Sequence, residues 1–101
     1  MTAVRIIKNK NYSVMSNYHL NDKKLSYKAK GLLSFMLSLP DDWKYTIKGI
    51  SKLSKESERT VRTILKELEL NNYLVINKSQ NAQGRFVYEY FVYEKPDTKK
   101  P

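Results

Sequence analysis

A chain of 101 residues with no cysteine and 41% hydrophobic content holds enough apolar material for one small core and little for a second, and it excludes disulfides and thiolate metal sites together. Its longest apolar runs, 73–76 and 90–93, are four residues each, far short of the ~20 that span a bilayer, and the N-terminus lacks the apolar core of a secretory signal. The net charge of +9 implies an anionic partner, nucleic acid ahead of an acidic protein or a lipid surface. A cytoplasmic protein with no membrane partner is expected.

In chain order, residues 1–10 read as an extended or loose arm with Val4, Ile6 and Ile7 as anchors between Arg5, Lys8 and Lys10. Residues 12–16 have strand-like content, and Asn21-Asp22 supplies a turn. Ser26 is the expected N-cap of a first helix, in which Ala29, Leu32, Leu33, Met36 and Leu37 form one face, Phe35 and Leu39 widen it, and Pro40 stops it. Gly31 inside that helix suggests close backbone packing. Asp41-Asp42 forms a turn and residues 43–45 a very short strand. Thr46 then caps a second helix from 47 to about 53, with Ile47, Ile50 and Leu53 on one side.

A break at 54–56 precedes Ser57, the N-cap of a third helix, with Glu58 in the first turn where a negative charge suits the helix dipole. Val61, Ile64, Leu65 and Leu68 follow at i, i+3, i+4 and i+7, the clearest amphipathic pattern in the chain, ending near Asn71-Asn72. Residues 73–78 and 85–94 are β-branched and aromatic runs around a polar loop with one glycine, and so predict a hairpin. In its second strand Phe86, Tyr88, Tyr90 and Val92 share one face while Val87, Phe91 and Tyr93 share the other, which suggests a strand covered on both sides.

This order predicts an α+β winged helix-turn-helix: three helices plus a β-hairpin wing, preceded by an extended arm. The expected division is an N-terminal arm and strand at 1–25, the winged domain at 26–94, and a linker or truncated end at 95–101. The basic excess falls in two blocks, seven basic groups against one acid in 1–31 and seven against two in 44–66. At about 100° per residue, the apolar stripe of the third helix lies opposite Arg59, Thr63 and Lys66, with Arg62 beside them.

Those side chains have the chemistry of a major-groove reader. Arginine forks onto guanine O6 and N7, threonine meets a thymine methyl or a phosphate, and lysine is a point charge for phosphate. The expected DNA-binding set is Lys44, Lys48, Lys55, Ser57, Arg59, Thr60, Arg62, Thr63 and Lys66, with Lys78, Gln83 and Arg85 on the wing. The lysines and wing residues would position rather than specify. The plain alternative is a solvated helix face neutralised by Glu58, Glu67 and Glu69, although those acids fall to the sides of the outward face.

Catalytic patterns are thin. His19 is the only histidine, no glycine-rich phosphate loop or nucleophile elbow is present, and no enzyme activity, metal or cofactor is expected. The eight tyrosines could stack on single-stranded bases, but most fall in strand patterns where an aromatic core is the commoner explanation.

The segments Asn11-Tyr12-Ser13-Val14-Met15-Ser16-Asn17-Tyr18-His19-Leu20, Leu25-Ser26-Tyr27-Lys28-Ala29-Lys30-Gly31-Leu32-Leu33-Ser34, Leu37-Ser38-Leu39-Pro40-Asp41-Asp42-Trp43 and Tyr45-Thr46 resemble the N-terminal winged-helix domain of replication initiators and replisome organisers of Gram-positive bacteria, their phages and plasmids, with DnaD-type primosomal proteins as host relatives. The resemblance spans roughly residues 11–96. It implies double-stranded DNA at a replication origin as the partner, bound by the third helix and the wing, and self-association as a homodimer. Members of that family usually continue into a second domain that recruits helicase-loading proteins. This chain stops at Pro101, cut in the linker or as a naturally short variant, so helicase recruitment is not assigned to these residues and replisome contacts would belong to a missing C-terminal region. The resemblance carries no information on which bases Arg59 or Thr63 would read.

Two rival readings remain. A transcriptional repressor would use the same surface at a different site, and a winged-helix interaction or oligomerisation module would use the apolar arm and the tyrosine-rich strands to bind protein.

Overall fold

The computed structural model describes residues 3, 5, 6, 11–40, 43 and 45–96. A 3₁₀ turn, His19–Asn21, leads into helix α1 (Tyr27–Leu37), α2 (Ile47–Lys52) and α3 (Glu58–Leu70), followed by strands β1 (Leu74–Gln80) and β2 (Phe86–Val92). The strands pair antiparallel from Leu74–Val92 to Gln80–Phe86, leaving residues 81–85 as the loop. The architecture is the α+β winged helix-turn-helix expected from the sequence.

Each helix begins at the expected cap. The side-chain oxygens of Ser26, Thr46 and Ser57 accept from the backbone N–H of Ala29, Gly49 and Thr60, satisfying one of the donors that a helix N-terminus leaves unpaired. The α3 C-terminus closes as a Schellman motif: Tyr73 N–H donates to Leu68 O at 3.0 Å, Asn72 N–H donates to Glu69 O at 3.1 Å, and Asn72 takes a left-handed φ of 67°. The α3 helix therefore turns into β1 within three residues.

One core joins these elements. Leu25, Ala29, Leu33 and Met36 meet Ile50 of α2, the Val61, Ile64, Leu65 and Leu68 stripe of α3, and Tyr73 and Leu74. Tyr73 is fully buried and holds three parts of the chain: its backbone meets α3, its carbonyl accepts from Tyr93 N–H at 2.9 Å, and its hydroxyl donates to Asp22 Oδ2 at 2.7 Å. A second tie runs from α3 to the start of α1, where Glu67 accepts from Ser26 N–H and Ser26 Oγ–H, each at 2.7 Å.

Several expectations fail, each for a local reason. Residues 12–16 form no strand: among the described residues the sheet is β1 paired with β2, which offers that segment no ladder, and Ser16 N–H instead donates to Glu94 Oε2 at 2.7 Å. Of the short strand expected at 43–45, Trp43 and Tyr45 have no regular structure, while Lys44 and the Asp41-Asp42 turn lie outside the described residues. Gly31 is exposed, and a Cβ placed there would meet nothing within 4 Å, so close packing is not the reason for the glycine.

Leu53 is the C-cap of α2 rather than a core side chain and stays 53% exposed; Phe35, placed at the margin of the α1 stripe, is 36% exposed. The second strand is not covered on both faces. Phe86, Val87, Tyr88 and Phe91 all keep more than a third of their surface open. Of the apolar arm, Val4 and Ile7 lie outside the described residues and Ile6 is exposed. No described helix is long and apolar enough to cross a membrane.

Candidate nucleic-acid interface

The α3 stripe sets the interface by elimination. With Val61, Ile64, Leu65 and Leu68 turned into the core, Arg59, Arg62, Thr63 and Lys66 are exposed on the opposite side. These four line a groove of about 330 Å³ with Ile47 from the start of α2, Leu65 and Glu69 of α3, and Ile76 of β1. The groove thus has an apolar floor where three elements meet and a cationic wall supplied by α3. Two arginine forks, a threonine and an ammonium facing one open groove suit the edges and phosphates of a nucleic acid.

The N-terminal turn of α3 is more committed than the sequence suggests. Ser57 Oγ accepts from Thr60 N–H and donates its own proton to Thr60 Oγ1, both at 3.1 Å, and Thr60 is half-buried. Both hydroxyls serve the cap first, and Thr60 retains its own proton to donate outward. Thr63 Oγ1 donates to Arg59 O at 3.1 Å, so the hydroxyl of this exposed residue can accept but not donate. That assignment favours an apolar contact, such as a thymine methyl, over donation to a phosphate.

Of the remaining predicted residues, none that the structure describes lines this groove. Lys48 and Lys52 are exposed on α2 and Lys55 on the turn after it, where Ser51 Oγ–H donates to Glu56 O at 2.7 Å and holds the turn between the two helices. Lys44 lies outside the described residues. The wing tip is built by Asn81, whose Oδ1 accepts from Gln83 N–H and Arg85 N–H at 3.0 Å each, with Gly84 at a φ of 77° that a side chain would strain. Gln83 and Arg85 are exposed there. Lys78 is on β1 with its Nζ 3.9 Å from the Phe86 ring centroid.

The acids take separate roles. Glu67 turns away from the groove to the α1 cap, whereas Glu69 borders the groove beside Lys66, closer to the cations than the helix projection placed it. Sequence reasoning also missed Ile47 and Ile76 as the groove floor, since their meeting depends on how α2 and β1 pack against α3. His19 is fully buried, its Nε2 2.7 Å from Ser34 Oγ and its Nδ1 without a partner, and burial lowers its pKa. Among the described residues no group of three or more His, Cys, Asp or Glu side chains could hold a metal ion.

A capped helix pair joined by a short serine-held turn, a cationic outer face on the second helix of the pair, and a hairpin directly behind it define a DNA-binding winged helix-turn-helix domain. Residues 23–74, a little over half of the chain, match the helix-turn-helix domain family, and the chain belongs to that family. No curated protein and no solved structure matches the chain.

Proposed function

We propose that this protein is the sequence-specific, double-stranded-DNA-binding part of a replication initiator, acting in the cytoplasm at a replication origin by binding rather than catalysis. The observation that carries the DNA reading is the collection of Arg59, Arg62, Thr63 and Lys66 on the open face of α3, over a floor completed by the hairpin residue Ile76. The replication role rests on the resemblance of residues 11–96 to the winged-helix domain of replisome organisers.

In this reading Arg59 and Arg62 fork onto guanine edges, the Thr63 methyl meets thymine, and Lys66 holds a phosphate at the groove margin. Lys44, Lys48, Lys55, Lys78, Gln83 and Arg85 set orientation along the backbone, with Ser57 and Thr60 holding the helix end that enters the groove. A homodimer would place two half-sites about 34–36 Å apart, one helical turn or a multiple of it.

The test is fluorescence anisotropy against duplexes that include the DNA flanking the protein's own gene and candidate origins, at low and near-physiological salt. A site bound at least about a thousandfold tighter than random duplex, with that preference lost in an Arg59→Ala Arg62→Ala variant, supports recognition by α3. If about five lysines and arginines neutralise phosphates, log K falls against log salt with a slope of about −4 to −5. Equal binding to every duplex, abolished by salt, would overturn sequence recognition. A specific site found only beside the protein's own gene would point to repression instead of replication.

A further inference from the structure

The wing carries two aromatic rings that the core does not use. Strand alternation puts Leu74, Ile76, Lys78 and Gln80 of β1 on the same face as Val92, Tyr90, Tyr88 and Phe86 of β2. The inner half of that face belongs to the core: Leu74 is buried, and Ile76, Tyr90 and Val92 pack against it, with the Tyr90 ring 5.7 Å from that of Tyr45. The outer half extends past the core, and there Tyr88 is 53% and Phe86 56% exposed. Ile76, where the two halves meet, also floors the α3 groove that bears Arg59, Arg62, Thr63 and Lys66, and the Lys78–Tyr88 pair is the next one along the same face.

We propose that Phe86 and Tyr88 form a stacking site for an unpaired DNA base, with Lys78 holding the adjoining phosphate, next to the duplex contacted by α3. The inference rests on the DNA-binding reading above and adds the kind of DNA the wing takes. In an intact duplex the faces of the bases are covered by their neighbours, so two rings laid against it would meet only sugars and phosphates and remain largely hydrated. An unstacked base offers a π-face of matching size, whatever its identity.

The Lys78 ammonium supplies the second half of a nucleotide site. Seated over the Phe86 ring, 3.9 Å from its centroid, it holds one face of that ring by cation–π attraction while its N–H donors remain able to meet phosphate oxygens, so a base would stack on the opposite face of Phe86 or on Tyr88. Ring and cation together match the two chemically distinct parts of a single nucleotide. Lys78 and Tyr88 are direct cross-strand partners and Phe86 is the diagonal neighbour, so one stretch of ladder presents all three.

The experiment compares anisotropy of the full chain, at low salt, on a blunt duplex and on the same duplex carrying a short single-stranded tail with 2-aminopurine as the unpaired base. Wild type should bind the tailed duplex about tenfold tighter and quench the 2-aminopurine emission. Phe86→Ala and Tyr88→Ala should each remove most of that advantage and the quenching while leaving blunt-duplex affinity unchanged; Phe86→Tyr should retain both. Thermal melting of each variant shows whether it is folded, which half-exposed positions should allow.

Equal affinity for the two duplexes, or equal losses on both in the alanine variants, would overturn the stacking site. Failure of the α3 reading looks different: Arg59→Ala Arg62→Ala would then leave blunt-duplex affinity intact, whatever the tail contributes.

Discussion

Glu67 should be worth more to this fold than an acid on the side of an exposed helix. Both of its oxygens accept from Ser26 at 2.7 Å, one from the backbone N–H and one from the hydroxyl, and the same hydroxyl oxygen accepts from Ala29 N–H at the start of α1. Hydrogen bonds to a charged group contribute about 1.5–3 kcal/mol each when sheltered. Ser26 is exposed and water competes for the same atoms, so Glu67→Ala is expected to cost about 1–2 kcal/mol in total. For a domain of this size that lowers the melting temperature by about 5–12 °C.

Alanine is the better helix former, which offsets a few tenths of a kcal/mol and makes the expected loss a minimum for the lost contacts. The assay is a double-mutant cycle of Glu67→Ala and Ser26→Ala by thermal and urea unfolding, because Ser26→Ala alone also removes the cap, worth about 1 kcal/mol. A coupling energy of about 1 kcal/mol is expected. A coupling below about 0.3 kcal/mol, with Glu67→Ala as stable as wild type, would refute the clamp and return Glu67 to the solvated face.

Gly31→Ala should stabilise the protein by about 0.5–1 kcal/mol in urea unfolding, since the added Cβ meets nothing within 4 Å and the helix gains propensity. Gly49→Ala should gain little or lose stability, because its Cβ would lie 2.8 Å from Thr46 Oγ1, the oxygen that caps α2. Burial holds the His19 pKa below its ordinary value of 6.5, so the unfolded chain binds that proton more tightly. Stability should therefore be whole above about pH 6.5, decline below it, and level off under the folded-state pKa, a step that His19→Phe removes from a melting-temperature profile. The Tyr73 hydroxyl, followed by the Lys24 N–H, lowers the Asp22 carboxyl; that stability is present above about pH 3.8 and lost as pH falls through the folded value. In Tyr73→Phe the Asp22 titration, followed by NMR, should move up towards the usual carboxylate range.

The parts of the fold readable from residue order are those whose causes are local. Ser26, Thr46 and Ser57 each cap a backbone N–H three residues ahead, and the α3 stripe repeats within its own helix, so neither needs a distant partner to be recognised. The outward set on α3 inherits that legibility, being what the stripe leaves over. Residues 12–16 show the opposite case: strand-like side chains make no strand without a neighbouring ladder, and pairing is a tertiary event. Alternating apolar side chains on β2 looked like a doubly covered strand, yet the hairpin projects past the core and leaves its outer rings open. The Ser26–Glu67 clamp spans 41 residues and has no periodic signature at all, and the groove floor of Ile47 and Ile76 depends on packing that no local pattern encodes.

Tyr73 gives the domain a mechanical character. This one buried residue is bonded to the end of α3, to Tyr93 just past β2, and to Asp22 ahead of α1, so three bonds resist a change of angle between helix and hairpin. On the proposed binding mode the pair would act as a stiff calliper, setting the distance between the bases under α3 and the backbone under the wing. A DNA segment whose groove does not match that opening would then itself bend or widen, with the deformation energy falling on the nucleic acid. Sequences that yield easily would then be preferred even at positions no side chain touches.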